Sequence, residues 1–372
     1  MNFGFTEEQE LLADQARRFV NERCSMKEVR GWIATDPGFS RECLGQMAEL
    51  GWAGLLIPEA HGGSGLGWVE ATIVLEATGA ALLPGPLAST LVSGALIAEY
   101  GGEACKERQL TGLATAARLG TLALFEDDAS LEASGVSLRA TPQGEGYRLQ
   151  GHKSHVHDAA AADVFVVAAR TDAGLVLGLV EHGAEGLAVQ EHAGIDRTKR
   201  LGSLNFEGVQ LSDDAILARG NAAEAAYERA LDLAALCASA EMVGAAAAVH
   251  QLTVGYAKER LQFGKPIGQY QGVKHPLAEM HVDIETARSL LYYAAWLAGG
   301  EPAALSRSVS MAKAYISDAF ARIGIDAIQL HGAIGYTAEY DAQLYLKRSK
   351  FARPAFGDSD FHYERVARLR GL

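Results

Sequence analysis

The stretch Arg260-Leu-Gln-Phe-Gly-Lys-Pro-Ile-Gly-Gln-Tyr-Gln271 closes one long alanine-rich run and opens another. On its own it reads as a helix–loop–helix corner, with Gly and Pro marking the break. The residue types suggest more. An Arg at a helix end is placed to hold a polyanion, Phe263 offers an aromatic face, and Gly264 lets backbone approach closely. About sixty residues on, a second polar cluster, Gln329-Leu-His331-Gly332-Ala-Ile-Gly335-Tyr336, closes another apolar run. By itself it reads as a polar loop between helices.

The runs on either side predict long helices. Apolar residues dominate 222–254, 273–297 and 303–330. Several helices of this length predict a bundle over 220–372. Upstream the pattern differs. Between Gly120 and Leu217 short apolar runs alternate with Gly and Asp, as in Thr121–Phe125, Tyr147–Gln150, Val164–Ala168, Leu175–Val180 and Ser203–Phe206. Runs of that length between turn residues predict an antiparallel β domain over 118–219. Residues 1–117 read as helical. Thr6 before Glu7 and Glu8 predicts a capped helix start with acids in the first turn. A second helix is predicted from Arg41 to Leu50, stopping at Gly51. The loop Pro58-Glu-Ala-His-Gly62-Gly63-Ser-Gly65 is glycine-rich, but no Lys-bearing helix start follows, so it does not read as a P-loop.

Composition narrows the function. The 372 residues are 49% hydrophobic with a net charge of −13. That sum argues against nucleic acid, whose phosphates require clustered Lys and Arg, and leaves room for an anionic cofactor held by a few local cations. Cys24, Cys43, Cys105 and Cys237 are scattered and read as reduced thiols. The N-terminus carries acids where a signal peptide needs a basic and then an apolar run, and no apolar run reads as long enough to cross a membrane. The expected setting is cytoplasmic.

Taken together, the two quoted clusters and the helical–β–helical order resemble the acyl-CoA dehydrogenases, FAD enzymes that desaturate acyl-CoA thioesters. The resemblance implies an α+β multidomain fold, with an N-terminal helical domain, a middle antiparallel β domain and a C-terminal helical bundle. It implies FAD as cofactor, an acyl-CoA substrate, and an electron-transfer flavoprotein as electron acceptor. Residue by residue, Arg260, Phe263, Gln271, Gln329 and Gly332 match FAD contacts, those of Arg260, Gln329 and Gly332 being made across a subunit boundary. Phe125 stands where the family has the Thr of a Thr-Glu-Pro sequence, and His155 and His157 stand where a Trp and a Thr wall the flavin. Backbone amides at these places are expected to serve the ring.

The proton-abstracting base is less plain. The usual base lies in a Tyr-Glu-Gly-Thr sequence, and counting back from Arg365 puts Asp358 there. An Asp is one methylene shorter and must start about 1.5 Å closer to the substrate. The alternative base position, on the first long C-terminal helix, is Ala234, with Ala235 in place of its usual Arg neighbour. Glu241 lies two turns further on in an apolar run, where burial predicts a paired or functional acid. Asp358 and Glu241 are therefore the candidate catalytic carboxylates, and Asp358 also suits a helix cap. The Phe-Gly-Asp ending resembles a bacterial subgroup acting on bulky or unusual acyl-CoAs, some in mixed α2β2 tetramers. The implied assembly is a homo-oligomer or such a heterotetramer, with a non-catalytic, FAD-supporting partner subunit as the alternative role for this chain.

Overall fold

The computed structural model describes residues 4–300 and 302–372. Met1, Asn2 and Phe3, which open the acidic N-terminal reading, lie outside the described residues, as does Glu301.

The fold is helical, then β, then helical. The first part holds α1 (Glu7–Arg23), α2 (Met26–Ile33), α3 (Arg41–Glu49), α4 (Trp68–Ala80), α5 (Leu87–Tyr100) and α6 (Glu103–Ala114). The Thr6 cap forms as read: its side chain accepts the Gln9 N–H, and the Gln9 side chain returns to the Thr6 N–H, a reciprocal capping box. Helix α3 stops as predicted, with Gly51 at φ +81. Helix α2 was not predicted; it has only two turns and too short a periodic run to stand out.

The middle part is one eight-stranded sheet built from β1 (Gly120–Ala123), β2 (Arg139–Gln143), β3 (Gly146–His157), β4 (Val164–Thr171), β5 (Gly174–Glu181), β6 (Leu187–His192), β7 (Leu201–Leu211) and β8 (Ile216–Arg219). The order is β6-β7-β3-β2-β4-β5-β8, with β1 on β4. Pairing is antiparallel except for β1 with β4 and a single parallel bridge from β2 to β4. Strands β2 and β6 are largely exposed, which removes the apolar signal that marks the others.

The last part holds α7 (Asn221–Glu259), the short hairpin β9 (Leu261–Gln262) and β10 (Lys265–Pro266), then α8 (Gln271–Leu297), α9 (Pro302–His331), α10 (Ala342–Ala352) and α11 (Ser359–Leu369). Contrary to the expectation from the sequence, α7 is long and apolar enough to span a bilayer, but 72% of its most apolar window is buried inside the protein, which accounts for its composition by packing. The four cysteines are buried and no disulfide links them.

Packing cuts across the chain order. One compact unit takes the chain up to Gly31, Thr72–Leu83 and Ala235–Leu372; the other takes Trp32–Ala71 and Pro84–Ala234. In the first unit, α4 lies backbone to backbone against α7. A Cβ on Gly244 would sit 1.9 Å from the Glu76 carbonyl oxygen, and one on Gly79 would sit 2.3 Å from that of Glu241. Only glycine allows this approach.

Candidate active site

In the first unit, α7 is followed directly by Arg260, whose N–H donates to the Tyr256 carbonyl at 2.8 Å. The chain then reverses through Phe263 (φ +52) and Gly264 (φ +78) between β9 and β10. Two left-handed residues in a two-residue loop make a primed turn, whose twist matches the hairpin. Glycine is at ease there and phenylalanine is not; a non-glycine residue held in this region costs about 1–3 kcal/mol. Phe263 is nevertheless 93% exposed, so its own chain does not explain it. The hairpin is braced from within. Tyr270 donates its hydroxyl to the Gln262 carbonyl at 3.1 Å, and the Lys265 ammonium lies 4.3 Å over the Tyr270 ring. Arg260 is exposed and has no ion pair among the described residues. Gln271 is the exposed first residue of α8.

The end of α9 comes to the same place. His331 is buried with its ring 4.6 Å from Tyr256 and 4.9 Å from Tyr340. Burial holds its pKa below the usual value, and the neutral ring donates from Nδ1 to the Ala327 carbonyl at 2.7 Å. His331 therefore ties the end of α9 to the end of α7. Around it, Gln329 and Gly332 face outward, and Gly332 (φ +64) has open space where a Cβ would stand. The sequence clusters around 260 and 330 are thus brought together. A cation without a counter-charge among the described residues, an exposed ring, a side-chain amide and an unobstructed glycine suit a ligand with a diphosphate and an aromatic group.

In the second unit, Phe125 is buried and its carbonyl accepts the Ser154 N–H at 2.9 Å. Strand β3 leaves the register of β7 between Lys153 and Val156, and His155 takes φ +54 there. His155 is exposed, with Nδ1 2.8 Å from the Ser154 hydroxyl. His157 is half-buried, and its carbonyl accepts the Thr121 hydroxyl at 2.7 Å. Phe125, His155 and His157 thus lie on adjoining backbone, with main-chain geometry set by this bulge.

Asp358 is the N-cap of α11, its Oδ1 accepting the Phe361 N–H at 2.9 Å, and it is exposed. Phe356 (φ +56) and Gly357 (φ +104) precede it in left-handed backbone. Laying the Gly of the Tyr-Glu-Gly-Thr sequence on Gly357 puts Asp358 in the place of the Thr, a residue type that also caps helices, and Phe356 in the place of the Glu. Ala234 is buried. Glu241 is half-buried, not enclosed as its apolar run suggests, so its ionised form retains contact with water. The Lys313 ammonium, invisible to the motif reading, organises this turn. Fully buried, it donates to the carbonyls of Gly357 (2.7 Å), Arg353 (2.9 Å) and Ala352 (3.3 Å) and to the Ser317 hydroxyl (3.0 Å). Its only sequence signal is a Lys inside the apolar run Ser310–Ile316.

Burial pushes the Lys313 pKa down to about 7, opposed by the nearby Asp358 charge. The unfolded chain keeps this proton to about pH 10.4. From pH 7 upward the unfolded state therefore binds more protons, and this group's contribution to stability rises by about 1.4 kcal/mol per pH unit until the unfolded lysine also titrates. Calorimetry from pH 6.5 to 10 should show the melting temperature of the native protein gaining on that of Lys313→Met as pH rises. A constant difference would show that Lys313 does not titrate in this range.

A cavity of about 920 Å³ lies elsewhere in the first unit, where the Glu76 carboxylate accepts from Arg288 (2.9 Å) and Tyr292 (2.8 Å). None of the site residues predicted from sequence lines it.

The comparisons with known proteins identify the class to which this helical–β–helical chain belongs. Residues 6–117 match the acyl-CoA dehydrogenase N-terminal domain and residues 224–369 the acyl-CoA dehydrogenase C-terminal domain. The chain is 32% identical to glutaryl-CoA dehydrogenase of Desulfococcus multivorans over 93% of its own length and 92% of that protein's. Among solved structures it is similar to the ChsE4-ChsE5 complex from Mycobacterium tuberculosis (TM-score 0.93, 26% identity, 100% and 99% of the two chains). It is also similar to the FAD complex of PigA (TM-score 0.92, 27% identity, 100% of each chain). The chain belongs to the acyl-CoA dehydrogenase family.

Proposed function

We propose that this protein is an FAD-dependent acyl-CoA dehydrogenase that converts an acyl-CoA thioester to the enoyl-CoA and passes the electrons to an electron-transfer flavoprotein. The observation that carries the reading is the Tyr256–His331 contact, which joins the end of α7, followed by Arg260 and Phe263, to the end of α9, which carries Gln329 and is followed by Gly332, in a chain matched to the family at both ends. FAD, when bound, supplies a hydride acceptor for the β carbon. Arg260 and Gln329 hold the diphosphate half, Phe263 packs beside it, and Gly332 lets the main chain close on it. Gln271 lines the same cofactor from the start of α8. These groups point outward, which suits a cofactor shared with a second subunit. The main chain at Phe125 and at His155–His157 holds the flavin ring. The carboxylate that this reading uses as base is Asp358, whose Oδ2 carries no hydrogen bond among the described residues, with Glu241 as the alternative.

A second reading has a specific observation behind it. The two places where a base is usual hold Ala234 and Phe356, and Asp358 already serves as a cap. This favours a chain that supports FAD binding while a second dehydrogenase subunit completes the site, as an α2β2 assembly allows. Anaerobic titration of the yellow protein with a panel of acyl-CoAs separates the two. Bleaching of the isolated chain, with reoxidation by electron-transfer flavoprotein, supports the first reading. Bleaching only after a second chain is added supports the other, and a purified assembly without flavin defeats both.

A further inference from the structure

Lys153 is fully buried in β3, yet its ammonium is not buried for want of a surface position. It donates to the Leu124 carbonyl at 2.8 Å and to Glu126 Oε1 at 2.6 Å, so its two acceptors stand on either side of Phe125. The Phe125 carbonyl itself accepts the N–H of Ser154, the residue after Lys153. Three consecutive residues, 124 to 126, are therefore tied to two consecutive residues of β3, at the point where β3 leaves the register of β7. Glu126 extends the clamp. The same Oε1 accepts the N–H groups of Ser137 (3.1 Å) and Leu138 (3.0 Å), closing the loop between β1 and β2.

Burying such a pair is costly. Each ion loses several kcal/mol of hydration, and apolar residues of similar volume often hold a core as well. What apolar residues cannot do is hold named carbonyl and amide groups in place, which a three-donor ammonium and a multiply accepting carboxylate can. The location gives this a purpose. Phe125 has no hydroxyl with which to meet a flavin ring, so its main chain must serve, and the bulge at His155 is the adjoining main-chain segment.

We propose that Lys153 and Glu126 are positioning residues of the flavin site, their ion pair fixing the peptide groups at Leu124–Glu126 and at the Ser154–His157 bulge that hold the flavin ring. This rests on the reading that the protein binds FAD. Neither residue touches the ring; both act through the backbone they hold. Burial brings the Lys153 pKa down to about 8, still high enough to keep the ammonium in place at neutral pH.

The test compares FAD with ADP, which carries the diphosphate half and lacks the ring. Dissociation of FAD from the diluted assembly is followed by flavin fluorescence, and ADP affinity by competition, for the native protein, Lys153→Met and Glu126→Gln. Loss of one or two ring hydrogen bonds should weaken FAD about 10- to 100-fold, with the 450 nm band moving toward that of free flavin, while ADP affinity is unchanged. Glu126→Gln keeps an acceptor for Ser137 and Leu138, so it serves as the variant that folds if Lys153→Met does not. FAD affinity unchanged in the folded variant overturns the proposal. So does an equal loss for FAD and ADP, which marks general loosening. A native assembly that binds ADP but no FAD overturns the cofactor reading itself, and that case is recognised without reference to either variant.

Discussion

Asp358→Asn is expected to keep the fold and to slow flavin bleaching by acyl-CoA about 10²- to 10⁴-fold, the usual effect of removing a positioned proton acceptor. The substitution is informative because Asn caps a helix about as well as Asp. The bond from the Phe361 N–H to the residue 358 side chain therefore survives, and a kinetic loss reports basicity, not stability. Stopped-flow reduction with an acyl-CoA that bleaches the native protein gives the rate, and acyl-CoA binding is measured separately. Glu241→Gln is the companion. A loss confined to Glu241→Gln puts the base on α7 and leaves Asp358 as a cap. No loss in either, in a protein that bleaches, means that the base is neither of these two carboxylates and comes from elsewhere.

The second large effect is expected from Arg260→Ala. Arg260 is exposed and has no ion pair among the described residues, so its removal disturbs no internal partner and the fold should be unchanged. The lost charge-assisted hydrogen bond to a diphosphate is worth about 1.5–3 kcal/mol, or roughly 10- to 150-fold in FAD affinity. Flavin content after dialysis, read from the 450 nm to 280 nm absorbance ratio at fixed oligomeric state, measures it. Full occupancy in the substituted assembly would remove Arg260 from the cofactor site. Because the interaction is ionic and exposed, the difference between native and substituted protein should also shrink at high salt.

Much of this was legible because it depends on local pattern. The three-part order of helices, strands and helices follows from apolar period, and the long helices α7, α8 and α9 lie within a few residues of their predicted spans. The elements missed include those with weak local signal, such as the two-turn α2 and the exposed strands β2 and β6. The parallel pairing of β1 with β4 was also missed, since pairing direction is a long-range property. At the site, the 260 and 330 clusters could be picked out as polar breaks in apolar runs. What joins them, the Tyr256–His331 contact, could not.

The sequence by itself determined the kinds of residue available: an Arg and a Phe at one helix end, a Gln and a Gly at another, an Asp before the last helix, and an Ala where a base is usual. Their spacing along the chain is enough to place them, apart from the Ala inside α7, on helix ends and turns, because helix and turn formation depend on neighbours a few residues away. Tertiary structure alone decided what the charged groups do. It made Lys153 and Lys313 internal clamps on backbone carbonyls and left Glu241 half-open. The physical reason is that a charge takes its role from its burial and its partners, and those are brought to it from residues up to 44 positions away, as Gly357 is to Lys313.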